Sequence, residues 1–131
     1  MNCVLPDTNV LIELFAGDKT FAEELNQADR IVIPTIVYGE ILMGLDKSRR
    51  GRTQRAMFEK FLRNPVVECV DLTRIAGIYY AEIHRLLKEK GHPIPLNDMW
   101  IAASALEQGA ELLTFDTHFL HIPILQCSVR A

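Results

Sequence analysis

Short apolar runs alternate with longer stretches of helical periodicity along this chain. Cys3–Pro6, Ile31–Pro34, Val66–Val70, Glu111–Phe115 and Ile122–Leu125 read as strands of four or five residues. They are too short and too uniformly apolar for half-exposed antiparallel strands, in which polar and apolar positions alternate. Between them the period lengthens. Thr35 can cap a helix running to about Leu45, and Thr73 can cap a long one whose Ala76, Tyr79, Tyr80, Ile83, Leu86 and Leu87 share a face. Gly91, followed by Pro93 and Pro95, supplies the stop. Asn97 or Asp98 opens a further helix that Gly109 closes, and Asp18–Asp29 and Arg52–Arg63 read as two more. Strands alternating with helices imply βαβ units around a buried parallel sheet. No repeat, linker or low-complexity segment breaks the order, so residues 1–131 are expected to form one α/β domain.

Composition narrows the class without changing that picture. A chain of 131 residues with 49% apolar and 24% charged positions is long enough for one real core and reads as globular. No apolar run approaches the ~18 residues of a spanning helix, so no membrane partner is expected. Asp7 interrupts the first apolar stretch, and no basic segment precedes it, so no secretory signal is expected. The three cysteines, Cys3, Cys69 and Cys127, are odd in number and far apart. They are expected to be reduced apolar filler in a cytoplasmic protein rather than a disulfide framework. The net charge of −3 carries no global nucleic-acid signature.

Candidate chemistry lies in four acids just past strand ends or at helix starts: Asp7, Glu40, Asp98 and Asp116. In open α/β sheets, ligands bind beyond the carboxyl ends of the strands, where the strand order reverses. Each acid also has a plain structural reading. Asp7 or Asp98 could be an N-cap, Asp116 a turn residue, and Glu40 a surface carboxylate. Glu40 fits that reading least, because its neighbours one turn away are Ile36, Met43 and Gly44. Gathering four carboxylates is costly unless something positive sits among them, and a divalent cation bound by oxygens is the simplest such partner.

Taken together, the Asp7-Thr8-Asn9 opening, the helical Glu40, the Asn97-Asp98-x-x-Ile-Ala-Ala run and the Thr114-x-Asp116-x-x-Phe119 ending resemble the PIN domain. The resemblance is strongest to the VapC-type toxins of bacterial and archaeal type II toxin–antitoxin pairs, and it spans nearly the whole chain. It implies a three-layer fold with a central parallel sheet of four or five strands flanked by helices. It also implies an endoribonuclease in which Asp7, Glu40, Asp98 and Asp116 coordinate Mg²⁺ or Mn²⁺. Asn9 and Thr114 match positions that hydrogen-bond the ligands or the metal's water. The implied partners are an RNA substrate, a small cognate antitoxin whose tail covers the acidic pocket, and a second copy in a homodimer. Pro6 departs from the pattern, which usually carries an aliphatic residue there, and it removes one ladder donor from a central strand.

A divalent metal would lower the pKa of a bound water and neutralise charge on the phosphoryl oxygens. Water as the nucleophile would need no 2′-hydroxyl, and the resemblance implies 5′-phosphate and 3′-hydroxyl products. For holding RNA, the densest basic stretch is Lys47, Arg49, Arg50, Arg52 and Arg55, whose alternative is a solvated helix–helix corner. Trp100 and Phe119 could stack bases, but their apolar surroundings favour the core. His118, His121 and Cys127 suggest zinc, a weak signal without a paired Cys-x-x-Cys. A receiver-like phosphoacceptor lacks its lysine after the last strand, and a haloacid-dehalogenase-like phosphatase lacks its second aspartate, since Asn9 stands there. A protein-interaction module with silent acids is the rival from another class. The helices at Asp18–Asp29 and Arg52–Arg63 are the expected antitoxin docking surfaces.

Overall fold

In the computed structural model, which describes residues 1–47 and 49–130, strands and helices alternate along the chain. The elements are β1 (Cys3–Pro6), α1 (Thr8–Phe15), α2 (Ala22–Gln27), β2 (Arg30–Pro34), α3 (Thr35–Asp46), α4 (Gly51–Leu62) and β3 (Val67–Val70), then α5 (Arg74–Lys90), α6 (Leu96–Gln108), β4 (Glu111–Thr114), a 3-10 turn (Thr117–His121) and β5 (Cys127–Val129). The five strands lie in the order β3-β2-β1-β4-β5, and every pairing is parallel. The expected parallel α/β architecture is therefore observed. Val4, Leu5, Ile31, Val32, Ile33, Leu112 and Leu113 are all buried, as a sheet covered on both faces requires. Helices α1, α3 and α4 pack on one another, and α5 packs on α6.

The order reverses at β1. From there the chain builds outward through β2 to β3, then returns to place β4 and β5 on the other side. The carboxyl ends of β1 and β4 thus adjoin at the switch point, where parallel sheets leave a crevice. Asp7 N–H donates to Leu113 O at 3.0 Å, carrying the ladder one residue past Pro6. Alternate residues of a strand face opposite neighbours, so the donor missing at Pro6 belongs to the β2 side. The β1–β2 register extends only from Cys3↔Arg30 to Val4↔Ile31, and the proline falls just beyond it.

Several local expectations are corrected. The fifth strand is Cys127–Val129, not Ile122–Leu125; the latter segment turns, with Leu125 N–H donating to Ile122 O. Buried Ile122 and Leu125 plug the core from a turn, and Pro123 withholds a donor from any ladder. Thr35 is the first residue of α3 rather than its cap, and its hydroxyl donates to Val70 O. α6 opens at Leu96 after Pro95, with no side-chain cap, so neither Asn97 nor Asp98 caps it. α2 is shorter than Asp18–Asp29. Strand β3 is an edge with Glu68 and Cys69 exposed, so Cys69 is not apolar filler; all three cysteines are unpaired. Thr73 caps α5, and Gly91 and Gly109 end α5 and α6 in left-handed conformations, as a glycine permits without penalty.

Candidate metal centre and active site

Asp7 occupies two positions at once. It is the residue after β1 and the N-cap of α1, its Oδ1 accepting from Val10 N–H at 3.1 Å. Its Oδ2 accepts from the hydroxyl of Thr114, the last residue of β4, which is fully buried. The Thr114 hydroxyl oxygen in turn accepts from Asp116 N–H at 3.0 Å. One buried threonine thus ties the end of β1 to the loop after β4. Glu40 projects from α3, with Oε1 accepting from the Thr8 hydroxyl at 2.6 Å and Oε2 from Asn97 Nδ2 at 3.3 Å. Asp98 comes from the first turn of α6, and Asp116 precedes the 3-10 turn.

All four acids line one cavity of about 270 Å³, together with Thr8, Asn9, Ile12, Met43, Gly44 and Ile101. Gly44 lines it beside Glu40, and a methyl there would fall 3.0 Å from Ile12 Cδ1, so the glycine also lets α1 and α3 close together. Glu40 is half-buried rather than buried. Asn9 lines the cavity wall, and Thr114 acts from beneath it. The basic run lies elsewhere. Lys47, Arg49, Arg50 and Arg52 are exposed at the α3–α4 corner, Arg55 pairs with Asp46 at 2.9 Å, and none of these side chains lines the acid cavity. Trp100 stacks on Tyr80 with ring centroids 4.1 Å apart, and Phe119 is buried; both belong to the packing.

The structure adds three residues whose roles the sequence did not assign. Thr8 and Asn97 hold Glu40, and His118 faces two of the acids. His118 Nε2 lies 2.9 Å from Asp98 Oδ2, and Nδ1 lies 3.0 Å from Asp116 Oδ1. Among the described residues, Asp98, Asp116 and His118 form the one set of three potential ligands whose donor atoms all lie within 4.8 Å of one another. Asp7 and Glu40 share the cavity but do not join that tight set. Nor does His118 group with His121 and Cys127, as a zinc site would need; His121 stacks on His92 instead, centroids 4.0 Å apart.

Electrostatics marks the cavity as a place where negative charge is under-compensated. Burial raises the Asp7 carboxyl above the ordinary 3.8; hydrogen bonds from Thr114 and Val10 oppose this, and Asp98 and Asp116 add to it. Burial likewise raises Asp98; His118 lowers it, while Glu40 and Asp116 raise it. A buried carboxylate pushed up by its neighbours is stabilised by an added cation. The donor set is mainly carboxylate oxygen, which suits a hard divalent ion. His118 Nε2 is buried yet not aligned for a hydrogen bond, another donor atom that an ion would satisfy. The residues present therefore fit a divalent metal.

The PIN domain family model matches residues 4–125, and the chain belongs to that family. Within it, the similarity runs to VapC ribonucleases. Ribonuclease VapC1 of Haemophilus influenzae is 32% identical over 125 residues, 92% of each chain. Ribonuclease VapC2 of Rickettsia felis is 32% identical over 104 residues, 79% of this chain and 76% of its own. Among solved structures, VapBC2 from Rickettsia felis bound to a DNA fragment from its promoter superposes with a TM-score of 0.85 at 26% identity, covering 97% of this chain and 98% of that one. VapBC-1 from nontypeable Haemophilus influenzae gives 0.81 at 30% identity, covering 97% of each.

Proposed function

We propose that this protein is a metal-dependent endoribonuclease, the toxin of a toxin–antitoxin pair, held inactive by a cognate antitoxin. The observation that carries the reading is the convergence of Asp7, Glu40, Asp98 and Asp116 on one cavity at the sheet's switch point. Kinship with ribonucleases named VapC supports the RNA substrate. Kinship with VapBC complexes supports the antitoxin. Mg²⁺ or Mn²⁺ would be held by the four acids, and when bound it supplies an activated water and a Lewis acid for phosphodiester hydrolysis. The chain's own residues hold that cavity ready. Thr114 fixes the Asp7 carboxylate, Thr8 and Asn97 fix Glu40, and Asn9 is left at the wall to meet substrate or water.

The cations at the α3–α4 corner, Lys47, Arg49, Arg50, Arg52 and Arg55, would hold RNA phosphates outside the cavity, giving sequence-tolerant, salt-sensitive binding. The antitoxin would dock on α4, one of the two helices that the sequence suggests, the other being the Asp18–Asp29 segment. An apolar groove of about 810 Å³ runs between α1 and α4, lined by Leu14, Phe15, Met57 and Phe61 and rimmed by Lys60 and Arg63. A homodimer would cover the exposed Leu72, Ile75 and Ile78 on and before α5. Among the described residues no helix is long and apolar enough to cross a membrane, which accords with a cytoplasmic RNA substrate. Residues 1–131 would act as one nuclease domain.

The test is incubation of the purified, partner-free protein with total RNA, with Mg²⁺ or Mn²⁺ and then with excess chelator, beside an Asp98→Asn control. Discrete metal-dependent fragments, lost in the control, are expected. A folded protein that cuts nothing under either metal would instead favour an interaction module with silent acids.

A further inference from the structure

Beside the cavity, against two of the acids that line it, sits a ring nitrogen that a purely carboxylate site does not explain. His118 lies two residues past Asp116, in the turn after β4, and its ring reaches the start of α6. The two ring nitrogens face different acids: Nδ1 is 3.0 Å from Asp116 Oδ1, and Nε2 is 2.9 Å from Asp98 Oδ2. In a neutral imidazole one nitrogen donates and the other offers a lone pair, and the donor's partner fixes which is which. Asp116, with a side chain 51% exposed, can accept from Nδ1–H through Oδ1 and still present Oδ2 to the cavity.

That tautomer leaves the Nε2 lone pair facing a carboxylate oxygen. Two electron-rich atoms at that distance repel unless a positive charge lies between them, a ring proton while the site is empty or the ion that takes its place. Nε2 exposes less than 1 Å² and has no aligned hydrogen-bond partner, so water does not compensate it either. The 2.9 Å spacing between Nε2 and Asp98 Oδ2 is what two adjacent ligands on one ion adopt. Donors each ~2.1 Å from a cation and at right angles lie roughly 3 Å apart.

We propose that His118 is itself a metal ligand, Nε2 binding beside the Asp98 carboxylate while Asp116 orients the ring through Nδ1–H. This rests on the metal-dependent reading above and adds to it. A carboxylate behind a ligating histidine holds the ring's orientation and raises its basicity. The nitrogen also tilts ion preference. Mg²⁺ seeks oxygen and dehydrates reluctantly, whereas first-row transition ions accept imidazole more readily. His118 therefore favours Mn²⁺ over Mg²⁺ in this cavity.

The experiment loads the purified full chain with Mn²⁺ alone and reads pulsed EPR, with calorimetric titration beside it. The parent is expected to show nitrogen modulation from a directly bound imidazole, absent from His118→Gln and His118→Asn. In both variants Mn²⁺ affinity falls roughly tenfold or more, as loss of a metal-orienting group does, while Mg²⁺ affinity, measured by competition, holds within about threefold. Circular dichroism confirms that each variant keeps its fold. Nitrogen modulation that survives both substitutions overturns the assignment, as does an equal loss for both ions. A parent that binds Mn²⁺ without nitrogen modulation overturns this ligand alone, whereas a parent that binds no Mn²⁺ overturns the metal-dependent reading with it.

Discussion

At the amino-terminal edge of β2, Arg30 reaches Glu68 through two nitrogens, at 2.7 and 3.0 Å, and Gln108 at 2.6 Å. Along α5, Arg85 holds both Glu82 and Glu89. These guanidinium groups draw Glu68 and Glu82 below the usual carboxylate range. The carboxyl-terminal edge of the sheet is arranged in the opposite sense. Asp7 and Glu40 take neutral donors there, Asp98 and Asp116 face a histidine, and Asp7 and Asp98 are pushed up rather than down. The same chemical groups are neutralised from within in one region and left for an outside cation in the other. Charge settled inside the chain serves the fold; charge gathered and left unsettled is what a ligand completes.

The sharpest way to break this contrast is at Asp7. Asp7→Asn should bring metal-dependent RNA cleavage to background while leaving circular dichroism unchanged; a variant that cuts like the parent removes Asp7 from the site. Next in size is Thr114→Val, which takes a donor from Asp7 and an acceptor from Asp116 N–H. Cleavage should fall roughly 10–100-fold, as it does when a group supporting metal ligands is lost, with an unfolding cost of about 1–3 kcal/mol from the unpaired buried polar groups.

A cation should also stabilise the folded chain. At a hundred times its dissociation constant Mn²⁺ is expected to add about 2.7 kcal/mol, visible as a raised unfolding midpoint that chelator reverses and Asp98→Asn largely abolishes. The pH dependence carries a definite sign. Asp98 holds its proton longer in the folded chain than in the unfolded one, so ionisation costs the folded state stability as pH rises past the ordinary aspartate value. In chelator, Asp98→Asn should therefore gain on the parent as pH rises, with the difference between them constant below about pH 3. A gap that shrinks with rising pH would contradict the raised carboxyl.

The smallest effect belongs to the other region. Glu68→Gln should change stability by no more than about 1 kcal/mol, the usual worth of an exposed ion pair, and leave cleavage untouched.

What the sequence made legible follows the range of the forces involved. Strands β1, β2 and β4 could be read because burial on both faces leaves uninterrupted apolar runs. Helix α5 could be read because Thr73 and Gly91 mark its ends locally. The expected elements omit helix α1: its one-sided pattern, with Val10, Leu11 and Phe15 buried, lasts only eight residues and follows an apolar strand after a single residue. Strand β5 was misplaced because pairing with β4, rather than local apolarity, decides which segment joins the sheet. That the four acids share one cavity could be anticipated from their positions after strands and at helix starts. The contacts of His118 depend on the turn after β4 meeting the start of α6, which neither segment announces alone.

The double duty of Asp7 divides the ways in which selection can silence this chain. If Asp7 holds the metal as proposed, asparagine at position 7 would keep an oxygen to start α1 and yield an inert but folded chain, one that would still occupy an antitoxin. An aliphatic residue removes the helix cap together with the carboxylate and threatens the fold itself. Escape from toxicity by the first route leaves a decoy that competes for the partner, and by the second it leaves nothing that competes.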